Sequence, residues 1–119
     1  MSTVGDESRR SRRRRVEERV EVVDAMTGQA VGQLGNVSES GMLLLASGPL
    51  RDDCLYQLHF VLPDRAGGRH DFEVGAHLLW RNEAAAPGQA WTGFRFLSFD
   101  DGQLERLRDW IAAPGATYV

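Results

Sequence analysis

Residues 54–63, CLYQLHFVLP, alternate so regularly that only an extended chain can use them. Leu55, Gln57, His59 and Val61 fall on one face and Tyr56, Leu58, Phe60 and Leu62 on the other, because successive strand side chains point to opposite sides. Pro63 ends the run, having no N–H to give a ladder. Five more segments share this length scale: Arg19–Asp24, Ala30–Val37, Gly41–Ala46, 69–80 and 91–99. Turn residues separate them, among them Met26-Thr27-Gly28, Gly48-Pro49 and DRAGG at 64–68. Such short connections exclude parallel neighbours, which need crossovers of about a dozen residues. The expected fold is all-β with one helix: a six-stranded antiparallel β-barrel followed by a C-terminal α-helix.

For that helix, Asp100 is the expected N-cap and Gln103 the partner three residues on, the spacing of a capping box. Leu104, Leu107, Trp110 and Ile111 form the expected apolar stripe. Residues 1–13 lack apolar periodicity and are expected to be a disordered basic arm, with the domain over 14–113 and a tail over 114–119.

A chain of 119 residues with 42% hydrophobic content suits one globular core. Its single cysteine, Cys54, excludes an internal disulfide and fits a cytoplasmic setting. No apolar stretch approaches the ~20 residues of a membrane span, and the charged N-terminus lacks the apolar core of a secretory signal. The net charge of −3 conceals an asymmetry. Residues 1–19 carry seven arginines against four acids, whereas the remainder carries seven against thirteen. A cationic arm on an acidic body points to an anionic ligand held where the two meet.

Two stretches could build such a site. In RRRRVEERV (12–20), Arg15 and Arg19 stand four residues apart, a spacing that lets two guanidinium forks close on one ligand. A solvated cationic arm explains the same residues. In NVSESG (36–41), Asn36 and Ser38 can form a turn with Gly41 supplying positive φ. The functional reading has Asn36 accepting from a guanine N–H, Ser38 donating to a phosphate and Gly41 admitting close approach.

Taken together, Arg14-Arg15-x-x-x-Arg19, sixteen intervening residues and Asn36-x-Ser38-x-x-Gly41 resemble the PilZ family of cyclic di-GMP receptors. The segments TGQAVGQLGNVSESGMLLL, YQLHFVLP, LLW and WTGFRF resemble that family too, so the likeness covers about residues 12–113. It implies a six-stranded barrel with a helix and a non-catalytic, single-domain receptor that signals to a protein effector. By position, Arg15 and Arg19 match the paired arginines that grip bases and phosphates, and Asn36, Ser38 and Gly41 match the second motif. Arg14 matches the position that decides between one ligand and two; an arginine there implies two stacked cyclic di-GMP molecules per chain.

Three tryptophans are expected to pack the barrel and helix, with Trp80 alone a possible neighbour of the ligand. His59 and His77 lack a third ligand for a metal, and His70-Asp71 reads as a surface pair. No Walker loop, nucleophile elbow or zincin motif occurs, so no enzyme is expected. Two alternatives remain: a PilZ-type pilus or motility adaptor without ligand binding, and a basic-arm barrel that binds nucleic acid. The acidic body and the lack of evident strand-face aromatics argue against the second.

Overall fold

A computed structural model describes residues 12–100 and 102–119. Its elements are β1 (Arg14–Arg15), β2 (Glu21–Asp24), β3 (Ala30–Val37), β4 (Gly41–Ala46), β5 (Leu55–Pro63), β6 (Arg69–Glu83), β7 (Ala90–Ser98) and α1 (Gln103–Ala112). All pairings are antiparallel, running β3–β2–β5–β6–β7–β4 and closing through a β3–β4 ladder. This is the expected six-stranded barrel, with β1 added on β3.

Alternation fills the interior. Leu58, Phe60 and Leu62 of β5 meet Phe72, Val74, Ala76 and Leu78 of β6, all essentially inaccessible to solvent. Phe60 stacks on Phe72 with ring centroids 5.5 Å apart. Helix α1 lays Leu107, Trp110 and Ile111 against this core, and the Trp110 indole N–H donates to the Pro63 carbonyl at 2.8 Å.

The start of the helix differs from expectation. Gly102, at φ 84°, is the N-cap, and no side chain caps the helix. The Asp100 backbone carbonyl, rather than its carboxylate, accepts from Gln103 N–H at 3.1 Å. Gln103 does not reach back; it is buried, and its side-chain oxygen takes the Glu73 N–H at 3.0 Å. The inward face is therefore Gln103, Leu107, Trp110 and Ile111, spaced i, i+4, i+7 and i+8, with Leu104 only half-buried.

Strand β6 outruns its expected end by three exposed residues, Arg81–Glu83, whose polar pattern conceals their pairing with β7. Trp91 also departs from expectation: it stands on the outer face, 38% exposed, whereas Trp110 is buried. The segment after α1 is drawn back against β1. Arg15 N–H donates to Thr117 O at 2.7 Å, Val119 N–H to Arg13 O at 2.9 Å, and the Tyr118 hydroxyl to Ile111 O at 2.6 Å. Of the arm expected over residues 1–13, residues 1–11 lie outside the described part. Arg12 stacks 4.6 Å over the Tyr118 ring.

Candidate functional site

Strand β3 offers one edge to two partners. β2 takes Ala30–Gln33, and β1 takes Asn36 and Val37 opposite Arg15 and Arg14. Between them the chain loops out, tied by Val16 N–H to Gly35 O at 3.0 Å and Leu34 N–H to Val20 O at 2.9 Å. Val20 is buried, while Glu17, Glu18 and Arg19 project into solvent. The period of two then divides the arginines. Arg13 reaches Asn36, its Nη1 donating to Oδ1 at 2.9 Å. Arg14 turns the other way, stacks 3.7 Å over the Trp110 ring and donates to the Trp110 carbonyl.

The β3–β4 turn uses Ser38 and Gly41 internally. Ser38 is fully buried, and its Oγ accepts from Ser40 N–H and Gly41 N–H, each at 3.2 Å. Its backbone N–H donates to Gly41 O at 2.8 Å. Gly41 does not have the positive φ that the sequence suggests. Its close approach is to the barrel itself, since an added Cβ would overlap the Phe94 carbonyl oxygen of β7. The turn thus fixes the end of β3, and with it Asn36, against β4 and β7.

From there a row of outward positions crosses the barrel wall. Arg15 faces Asn36, Asn36 faces Leu43, Leu43 faces Gly93, and Gly93 faces Trp80. A bulge between Leu78 and Trp80 leaves both Leu79 and Trp80 exposed, Trp80 at 44%. The indole lies across Gly93, where any Cβ would collide with it. Here a cleft of about 410 Å³ opens, lined by Arg13, Asn36, Leu43, Leu79, Trp80 and Phe94 among others. That volume is within the range of small-molecule sites, ~300–1,000 Å³. Partial burial pulls the Arg13 guanidinium below its ordinary pKa, yet arginine stays charged. Among the described residues no carboxylate pairs with it. The cleft therefore combines a cation, a carboxamide and an aromatic wall, suited to an anionic group carrying a flat ring.

A second, more polar cleft of about 350 Å³ lies behind β1, lined by Arg14, Arg15, Glu17, Glu18, Arg65, Gly115 and Thr117. Arg65, from the β5–β6 turn, donates to Pro114 O at 3.4 Å. Arg19 lines neither cleft. Its Nε and Nη2 lie 3.2 and 2.9 Å from the Gln33 amide oxygen, in the orientation that satisfies both groups.

Of the residues singled out in the sequence, the first cleft brings together Asn36 and Trp80, and the second Arg14 and Arg15. Arg19 stands apart, and Ser38 and Gly41 lie under the turn. Gly93 escaped the sequence reading, and Arg13 entered it only as part of the cationic run. Counting back by two from Arg15, once it is paired with Asn36, places Arg13 on the same face; the close seat of Trp80 on Gly93 has no sequence signal.

The histidines pair with carboxylates. His70 bonds Asp64 at 2.8 Å rather than Asp71, His59 lies 3.3 Å from Asp71, and His77 bonds Asp53 at 2.6 Å. The His70 hydrogen bond, followed by the Gly68 N–H, holds the Asp64 carboxyl below its ordinary pKa. No group of three or more metal-ligating side chains occurs among the described residues. Nor is any described helix long and apolar enough to cross a membrane.

No curated protein matches the chain significantly. Several solved structures share its fold, two of them as follows. MotI/DgrA, the inhibitor of motility of Bacillus subtilis, matches with TM-score 0.67 and 13% identity over 87% of this chain and 49% of its own. This chain thus spans about half of MotI. The PilZ domain of YcgR from Escherichia coli, solved with c-di-GMP, matches with TM-score 0.62 and 17% identity over 87% of this chain and 89% of its own. The family model described as PilZ domain matches residues 7–113. The chain belongs to the PilZ domain family, a family of cyclic di-GMP receptors that bind and relay rather than catalyse.

Proposed function

We infer that this chain is a cyclic di-GMP receptor whose primary site is the cleft between Arg13, Asn36 and Trp80. The observation that carries this reading is the Arg13–Asn36 hydrogen bond at the mouth of an aromatic-walled cleft. Cyclic di-GMP presents phosphodiester charge next to flat guanines. A guanidinium meets the charge or the O6/N7 edge, the Asn36 amide meets the Watson–Crick edge, and Trp80 offers a stacking face. Arg15, just before the Val16–Val20 loop, and Arg19, within it, bring further cations to the phosphates. Ser38 and Gly41 act by holding Asn36 in place, not by touching the ligand.

Two stacked ligands carry four phosphate charges, whose repulsion needs several cations nearby. Arg12, Arg13, Arg15 and Arg19 are the supply, and Arg14 joins them when it leaves Trp110. The proposed ratio is therefore two cyclic di-GMP per chain. The receptor works in the cytoplasm and passes the signal to a protein partner. The fold likeness to an inhibitor of motility makes a motility component the first class to test.

Titration calorimetry of the full chain with cyclic di-GMP, GMP and a single-stranded oligonucleotide is the test. Saturable binding of cyclic di-GMP alone, near two per chain, is expected. No heat with cyclic di-GMP, or tighter binding of the oligonucleotide, overturns the reading.

A further inference from the structure

Beside the row Asn36–Leu43–Gly93–Trp80 runs a second outward row, Gln33–Leu45–Trp91–Asn82, in register across β3, β4, β7 and β6. It carries the same residue types as the first, with its indole on β7 rather than β6. Arg13 donates to the Asn36 amide oxygen, and the Arg19 fork faces the Gln33 amide oxygen. Leu43 has its counterpart in Leu45. Trp80 lies over Gly93, and Trp91 lies over Gly35, where an added Cβ would be 3.5 Å from the ring. Gly35 is the residue bulged between Leu34 and Asn36, so the wall carries no side chain between the two amides. Trp91 stands on the outer wall, 38% exposed, rather than in the core.

We propose that Gln33, Leu45 and Trp91, with Arg19, form a second purine-base site, so that each base of a two-fold-symmetric dinucleotide has its own row. This rests on the cyclic di-GMP reading above and names residues which that reading leaves unused. On β4 the rows are set by Leu43 and Leu45, outward positions two apart and so separated by about 6.7 Å. The two bases of one folded ligand can therefore address one row each. The Gln33 amide supplies an acceptor and two donors to a base edge, and the Trp91 indole supplies a stacking face. A surface for docking protein would account for exposed Trp91 beside half-buried Leu45, but not for a guanidinium set on a carboxamide at the head of each row.

The test combines calorimetry and tryptophan fluorescence on the full chain with cyclic di-GMP. Gln33→Leu and Trp91→Ala are each expected to weaken binding about tenfold. In Trp80→Phe, which keeps Trp91 and the buried Trp110, ligand should still quench emission; adding Trp91→Phe should remove most of that quench, leaving only the response of Trp110 as Arg14 leaves it. Wild-type binding with both variants within twofold, or a quench in Trp80→Phe that is unchanged by adding Trp91→Phe, overturns the second base site alone. A wild-type chain indifferent to cyclic di-GMP overturns this site and the receptor reading together. If Trp91→Ala does not fold, Gln33→Leu and the fluorescence pair decide.

Discussion

The Arg14 guanidinium lies 3.7 Å over the Trp110 ring and donates to the same residue's carbonyl, at the C-terminal end of α1. Helix α1 has no basic residue in its own last turn, so Arg14 supplies the cation that a helix C-terminus favours. Cation–π attraction adds to it. One side chain thus ties the arginine segment, the helix end and the barrel.

Arg14→Leu should therefore cost stability, about 1–2 kcal/mol from the lost cation–π and helix-end contacts. Urea unfolding with an unchanged m-value would show it. A midpoint equal to wild type would mean that the stacked geometry contributes nothing.

Arg13→Ala and Asn36→Ala should weaken cyclic di-GMP about tenfold to a hundredfold, the range expected for losing a hydrogen bond to a charged group, ~1.5–3 kcal/mol. Their effects should be less than additive, because the two side chains share one hydrogen bond. Calorimetry on the single and double variants measures the coupling. Full additivity would place the two residues in separate contacts with the ligand.

Gly41→Ala and Gly93→Ala should separate folding from binding. At Gly41 the new methyl meets the Phe94 backbone carbonyl, which cannot move without parting β4 from β7, so the melting temperature should drop sharply. At Gly93 it meets only the exposed Trp80 ring, which can swing away. Gly93→Ala should keep near-wild-type stability and lose affinity. Comparable melting losses in the two variants would contradict this.

Asp64 makes the β5–β6 turn pH-dependent. Its carboxylate accepts from Gly68 N–H at 2.7 Å and Ala66 N–H at 2.9 Å and pairs with His70. Its folded pKa is lowered, so its stabilising contribution is complete above the unfolded value of about 3.9 and disappears as pH falls through the folded one. The stability gap between wild type and Asp64→Ala should shrink as pH falls through the folded Asp64 pKa. A gap that widens in acid would have the wrong sign.

The barrel was legible because strands such as Leu55–Pro63 bury one face and wet the other, and because short connections admit only antiparallel neighbours. β1 was not. Two arginines carry no apolar pattern, and their register comes from the β3 edge that β2 leaves unoccupied. Without that register, the parity that sends Arg13 to Asn36 and Arg14 to Trp110 is invisible. The helix start failed for a related reason: Asp100 and Gln103 have capping-box spacing, but Gly102 in the left-handed region redirects the chain and frees Gln103 for β6. Asn36 and Trp80 could be picked out as polar and aromatic candidates. Their meeting across four strands depends on two bulges, one after Leu34 and one after Leu78, which no local pattern announces.

The hydrogen bond from Val119 N–H to the Arg13 carbonyl brings the described ends of the fold within one bond of each other. In topological terms the domain is nearly a ring. Joining Val119 to Arg12 through a short linker, and reopening the chain in the exposed Ala85–Gly88 turn, would leave every barrel strand whole. Such a permutant would carry the arginine segment as an internal loop with both ends tethered, a fixed-length strap beside the cleft of Arg13, Asn36 and Trp80.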